Sequence, residues 1–379
     1  MTNEERGRAI RFYVYGVEGV EVPAATGECP LCGGILSDLD RYADLVVGTM
    51  GNLDFSTFMV GSRFDDELIA RERALWDDLG VDTGEEIKSE FNREVGKRVE
   101  ALTGRTADIR LPDVTAIVDT RYDTVEIDIR PLFVYGRYRK LVRDIPQTRW
   151  PCRRCRGIGC DRCDGTGRMY STSVEEIVCA PLVESAGGTD HRFHGLGRED
   201  IDVRMLGSGR PFVAEVLEPR RRTLDLDAAR GAINASGIVE VSPLVPVDRG
   251  MVRHVKDIRC DKEYEALIAV EAEATLLREA VRHLSGAVIS QRTPTRVSRR
   301  RADIVRRRTV HGMELIGHEG DRVRVRVLAE AGTYIKELLH GDDGRTEPSL
   351  AGLLGTRVSV LELDVIEVRS DPLKDRNSP

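Results

Sequence analysis

Two stretches of this 379-residue sequence carry residue types and spacings suited to chemistry. The first reads Gly197-Arg198-Glu199-Asp200-Ile201-Asp202-Val203-Arg204-Met205-Leu206-Gly207-Ser208-Gly209-Arg210-Pro211-Phe212. It sets three carboxylates and three guanidiniums around a short apolar run, between glycines that let the backbone turn sharply. Ile201, Val203, Met205 and Leu206 predict a half-buried strand entered from a Gly-Arg turn, with Asp200 at its mouth. A guanidinium as close as Arg198 favours the charged form of that carboxylate, which is the form a carboxylate nucleophile needs. A purely structural Arg–Asp pair at a strand end accounts for the same residues equally well. Asp202 lies two positions on, hence on the same strand face as Asp200.

The second stretch spans residues 151–168. Cys152-x-x-Cys155 and Cys160-x-x-Cys163 each lead into a G-x-G turn, and paired thiols on tight turns are what tetrahedral zinc takes from each side. A structural site is expected, because a catalytic zinc keeps a water position beside His or carboxylate ligands and none is patterned here. A further pair, Cys29-x-x-Cys32 with Gly33-Gly34, is half of such a site. Either the four-cysteine insert is self-contained, or Cys29 and Cys32 join one half of it. Six of the eight cysteines sit in such pairs, and metal binding explains them better than disulfides in a chain read as cytosolic. Cys179 and Cys260 read as buried thiols.

Several elements must position these residues. Helices are expected over residues 63–80, with an apolar face of Phe64, Leu68, Leu75, Trp76 and Leu79, and again after Thr83-Gly84-Glu85-Glu86. The second repeats Ile87, Phe91, Val95, Val99 and Leu102 until Gly104. A β-like run covers residues 10–16; strands follow at 114–118 and 124–134, then a basic hairpin at 135–140, which together suggest a basic α/β module. Later, 258–270 reads as a strand, 274–284 as an amphipathic helix, 322–328 as a strand alternating Val with Arg, and 358–368 as a closing strand.

The charge distribution points to a local polyanion contact. Net charge is −7, yet residues 137–168 carry ten Lys/Arg against three Asp/Glu, and 296–308 seven Arg against one Asp. These islands hold +13 between them, which leaves −20 for the rest. Either island alone is an ordinary solvated surface; together on an acidic body they fit local phosphate contacts. No glycine-rich nucleotide loop is present, and no apolar run approaches the ~20 residues of a membrane span, so neither nucleotide hydrolysis, a dinucleotide fold nor a membrane anchor is expected. The expected location is cytoplasmic.

The motif around Asp200 resembles the active-site motif of the pseudouridine synthase ten family, the tRNA pseudouridine synthases that carry a THUMP domain. Lys262-Glu263-Tyr264-Glu265-Ala266-Leu267, Gly332-Thr333-Tyr334-Ile335-Lys336-Glu337 and His340-Gly341-Asp342 resemble the same family, as do the start at Cys29 and the stretch ending Pro146-Gln147-Thr148. The four-cysteine insert is similar to the archaeal branch. The resemblance implies an α+β chain. Residues 1–172 would form a zinc-binding and THUMP RNA-binding module, with the THUMP at about 45–150, and residues 173–379 a catalytic domain on a mixed, mostly antiparallel sheet. It implies isomerisation of uridine 54, 55 or both in the TΨC arm of tRNA, with no catalytic cofactor, in a monomer. Asp200 would be the nucleophile, Tyr264 and Tyr334 the substrate-contacting tyrosines, Lys336 the cation paired with Asp200, and Arg198 a contact to backbone phosphate or a prop that holds the flipped site open. A non-catalytic tRNA-binding or chaperone protein, or another THUMP-type tRNA-modifying enzyme, is the alternative.

Overall fold

The computed structural model describes residues 31–80, 85–299 and 301–376. The run at 10–16, Cys29 and the Thr83-Gly84 helix start lie outside the described residues. The chain divides into two compact units, at Arg130 and Pro131.

The first unit is a small α/β layer. Helix α1 (Leu39–Met50) buries Leu39, Tyr42, Ala43, Val46 and Met50 at three- and four-residue steps, which is one face of a helix. Strand β1 (Thr57–Arg63) alternates buried and half-buried residues. Helix α2 (Asp66–Leu79) starts where the Asp65 carboxylate accepts the Glu67 N–H at 2.7 Å, and ends at Gly80 in the left-handed region. Helix α3 (Ile87–Thr103) buries Ile87, Phe91, Val95 and Val99 as its periodicity predicts. Leu75 and Leu102, expected on apolar faces, are exposed. Strands β2 (Val114–Asp119) and β3 (Thr124–Ile129) form an antiparallel hairpin, and β1 runs parallel to β2. The sheet order is Thr106–Ala107, β1, β2, β3. Neither α1 nor β1 is apparent from sequence pattern alone.

The strand expected over 124–134 stops at Ile129, and the basic hairpin expected at 135–140 is instead part of a single strand, β4 (Leu132–Lys140). β4 lies in the second unit because Leu132 to Tyr138 pair antiparallel with the strand that follows Asp200. The break between the units therefore falls at residue 130, well before the expected boundary at 172, and the four-cysteine insert belongs with the second unit.

The second unit is built on an 11-stranded sheet. After β4 come β5 (Asp190–Gly195), β6 (Arg204–Leu217), β7 (Lys262–Val270), β8 (Val288–Arg292), β9 (Val305–Glu319), β10 (Arg322–Ala329) and β11 (Val358–Val368). The sheet runs Thr346–Glu347, β8, β9, β10, β7, β11, β6, β4, Val239–Val241, with β5 and Val245–Val247 pairing off that path. Every pair is antiparallel except β11 with β6, so the expected mixed, mostly antiparallel sheet is what forms. That parallel pair joins two halves of the sheet behind Asp200. Its close approach requires glycine: a Cβ on Gly207, at φ +57°, would stand 1.7 Å from the Ile366 carbonyl oxygen. In β10 the valines Val323, Val325 and Val327 are buried, while Arg326 meets Glu265 at 2.8 Å on the open face. No helix among the described residues is long and apolar enough to cross a membrane.

Candidate active site

Asp200 does not open a strand. It begins a turn in which the Val203 N–H bonds the Asp200 carbonyl at 3.1 Å, and β6 starts one residue later. Asp200 and Asp202 thus share a turn instead of a strand face. The turn is held from below by Lys140, the last residue of β4, whose side chain is fully buried. Its ammonium donates to the carbonyls of Asp200 (3.1 Å), Ile201 (3.0 Å) and Ile145 (3.0 Å). Burial pushes the Lys140 amine down, and the charges of Glu199 and Asp202 oppose that fall.

Glu199, one residue before Asp200, faces inward. It accepts the Tyr138 hydroxyl at 2.7 and 2.9 Å and the Arg210 Nε–H at 2.9 Å. Arg210 also donates to the Leu196 carbonyl, and the Gln147 amide donates to the Tyr138 hydroxyl and to the Gly197 carbonyl. Tyr138 has its hydroxyl pushed well above the ordinary range by burial and then by the Glu199 charge, so it stays a donor. All four of these side chains are buried, and together they fix the Gly197–Asp200 loop.

The Asp200 carboxylate points outward and is 37% exposed, as a group that meets a substrate must be. Its partner is Arg296, at 2.8 Å, and not Arg198. Arg296 reaches from the segment after β8, and its Nε–H is fixed at 2.7 Å by Glu337, which is buried. Lys336 stands 3.6 Å from Asp200 and 2.7 Å from Asp202, so it bridges both carboxylates and favours Asp202. Burial raises the Asp202 carboxyl, but the Lys336 hydrogen bond and charge outweigh it and the net shift is downward. Arg198 instead lies over the Trp150 ring, its guanidinium carbon 5.3 Å from the ring centre.

The two tyrosines flank this group from different elements. Register sets Tyr264 of β7 opposite Val365 of β11, and Val365 opposite Met205 of β6, so Tyr264 is two strands from the end of the Asp200 turn. Burial pushes its phenol up to about 12; Arg210 lowers it, and Cys260 and Asp200 raise it further. It is therefore a proton-bearing hydroxyl at neutral pH. Tyr334 precedes the short helix Ile335–His340 that presents Lys336 and Glu337. Buried Gln291 of β8 clamps it by accepting its N–H and donating to its carbonyl, both at 2.9 Å. The Tyr334 ring centre is 5.9 Å from Arg296, and its hydroxyl accepts from Arg301 at 3.0 Å. The structure thus brings together Asp200, Lys336, Tyr264 and Tyr334, adds Arg296 and Glu337, and sets Arg198 to one side. Arg296 is missed by sequence reading because it sits in an arginine run that resembles a solvated face.

The insert closes on itself. The Sγ atoms of Cys152, Cys155, Cys160 and Cys163 all lie within 4.8 Å of one another. Backbone N–H groups aim at the sulfurs, Gly159 at Cys155 (3.2 Å) and Gly167 at Cys163 (3.2 Å). A Cβ at Gly159 would come within 2.5 Å of the Gly165 carbonyl, and one at Gly167 within 2.2 Å of Gly157, so the two knuckles pack with no room for side chains. Four thiols and inward N–H donors fit a closed structural zinc site. Cys32 lies in the buried core of the first unit, and Cys29 lies outside the described residues. Because zinc binding contributes to folding, Cys152→Ser with Cys155→Ser is expected to lose bound zinc and lower the melting temperature. Each kcal/mol lost in a unit of this size moves it by roughly 2–4 °C. Elemental analysis beside a thermal melt checks this; retained zinc would exclude these thiols as ligands.

Comparison with known proteins shows the family. Residues 133–369 match the family model described as Pus10, C-terminal, and residues 42–119 match the archaeal Pus10 THUMP domain. Curated proteins named tRNA pseudouridine synthase Pus10 align along nearly the whole chain. The one from Methanothrix thermoacetophila is 46% identical over 98% of this chain and 89% of its own. Those of Methanopyrus kandleri (45%; 97% and 91%) and Archaeoglobus fulgidus (44%; 93% and 98%) are similar to the same extent. The chain belongs to the archaeal branch of the Pus10 family.

Proposed function

We propose that this chain isomerises uridine to pseudouridine in tRNA, at uridine 54, 55 or both of the TΨC arm, with Asp200 as nucleophile. The observation that carries the reading is an outward-facing carboxylate held between two cations, Arg296 and Lys336, on a turn fixed from within by Lys140 and Glu199. Near-full-length similarity to relatives named tRNA pseudouridine synthase supports the substrate class.

The reaction breaks the N1–C1′ bond, turns the base and joins C1′ to C5; the proton lost from C5 is balanced by one gained at N1. No atom is added, so no cofactor is required. The target base must leave its stack to be reached, as for other enzymes that act on a nucleobase. Asp200, paired with Arg296 and Lys336, acts at the sugar to release uracil. Tyr264 is the flat, proton-bearing side chain beside it, suited to hold the loose base; stacking on such a ring contributes about 1–3 kcal/mol. Tyr334 flanks the same space through its contact with Arg296. Lys336 orients both turn carboxylates, and Arg198, on the Trp150 ring, is set to meet phosphate. Cys152, Cys155, Cys160 and Cys163 would hold a zinc ion that supplies structure.

Position is tested with tRNA transcripts in which uridine 54 and uridine 55 are replaced singly by cytidine. After reaction, carbodiimide treatment and primer extension are expected to give stops at 54, 55 or both, and each replacement should remove only its own stop. Stops confined to other uridines would refute the assignment.

A further inference from the structure

Beside the Asp200–Arg296 pair lies an open cleft of about 820 Å³. Its walls come from two places. Trp150, Pro151 and Arg153 belong to the four-cysteine insert and its foot; Arg296 and Arg299 belong to the segment that also supplies the partner of Asp200. The insert is tied to the Asp200 loop at that foot: the Met169 N–H bonds the Trp150 carbonyl at 3.0 Å, and Arg198 of the loop lies on the Trp150 ring.

Two arginines of the insert and two near Arg299 are paired with carboxylates. Arg154, next to Arg153, pairs with Asp161 at 2.9 Å, and Arg168 at the other end of the insert pairs with Glu176 at 2.9 Å. Arg292 and Arg345, on the strand and loop behind Arg299, share Asp303 at 2.7 Å. Arg153, Arg198 and Arg299 have no carboxylate partner among the described residues. In a chain of net charge −7, carboxylates are plentiful, so guanidiniums left unpaired on facing walls imply an anionic occupant. An open cleft lined by Arg153, Arg296 and Arg299 suits a chain of phosphates.

Resting on the function proposed above, we infer that the four-cysteine insert is a substrate-binding wall: Arg153 and Arg299 grip phosphates of the RNA strand flanking the target nucleotide from opposite sides of the cleft. Zinc then shapes an RNA contact as well as a fold, because Arg153 lies within the Cys152–Cys155 turn that the metal would close.

The test is the salt dependence of tRNA binding by the full chain. Each phosphate contact on single-stranded nucleic acid contributes about 0.7 to the slope of log affinity against log salt. Arg153→Ala with Arg299→Ala is expected to lower that slope by about 1.4, to weaken tRNA binding roughly ten-fold near 0.1 M salt, and to raise KM in proportion. Arg154→Ala, whose residue is neutralised by Asp161 outside the cleft, is the control and should leave the slope as in wild type. An unchanged slope in the double variant, or an equal loss in Arg154→Ala, overturns the inference. Wild-type protein that fails to bind tRNA at all overturns the underlying function as well, and so is distinguishable from failure of the cleft alone.

Discussion

Asp200→Asn is expected to abolish pseudouridine formation, with a fall of at least about 10³-fold in single-turnover rate, while tRNA affinity stays within about three-fold of wild type. Removing the group that attacks in a covalent mechanism takes away an interaction made only along the reaction path. The fold should tolerate the change. Asn has nearly the same shape, and neither cation is stranded: Arg296 keeps Glu337 at 2.7 Å and Lys336 keeps Asp202 at 2.7 Å. A matching thermal melt, filter binding and chromatography of digested tRNA check the three parts separately. Substituting Asp202 is the contrasting case. Its carboxylate is the nearer partner of Lys336, so Asp202→Asn should reduce the rate without eliminating it, because Arg296 still holds Asp200.

The largest effect on stability is expected from Arg210. Its side chain is buried in the sheet beneath the active-site loop, 2.9 Å from buried Glu199, and it also satisfies the Leu196 carbonyl at 2.8 Å. Such a pair contributes little net stability against an apolar replacement of both members, but removal of one partner leaves a buried charge with no countercharge. Arg210→Met is therefore expected to cost about 3–5 kcal/mol, which is roughly 6–20 °C in melting temperature for a unit of this size. Adding Glu199→Leu should recover part of that loss, since the stranded charge goes with it. A double variant no more stable than Arg210→Met would show that the cost lies elsewhere. Activity should fall in Arg210→Met beyond what unfolding explains, because Glu199 is bonded directly to the residue that carries the nucleophile.

Much of this site is legible in the sequence where one residue pattern answers to one local structure. The valines of 323, 325 and 327 alternate because one face of β10 is core, and the strand lies where the alternation puts it. The cysteine pairs and their glycines point to a metal site, and the structure shows that the four sulfurs of the insert converge on one another. Less legible is anything decided by long-range pairing. Residues 132–140 look basic, yet Tyr138 and Lys140 are fully buried, because β4 is clamped between β6 and short strands far along the chain. A buried lysine bonded to three carbonyls has no sequence signature. The cation of Asp200 is equally hidden: proximity in sequence favours Arg198, but the backbone between them turns so that Arg198 faces Trp150 and Arg296, 96 residues away, takes the carboxylate.

The central claim is that the carboxylate between Arg296 and Lys336 drives uridine isomerisation in tRNA. Its most direct test is tritium release from tRNA transcripts labelled at carbon 5 of uridine, because that hydrogen is lost only when the base is rejoined through carbon. Wild-type protein should release tritium in step with one or two uridines per tRNA, and Asp200→Asn should release none. Release by both proteins would contradict the role of Asp200; release by neither, with tRNA still bound, would contradict the isomerase reading and leave a tRNA-binding protein on a synthase fold.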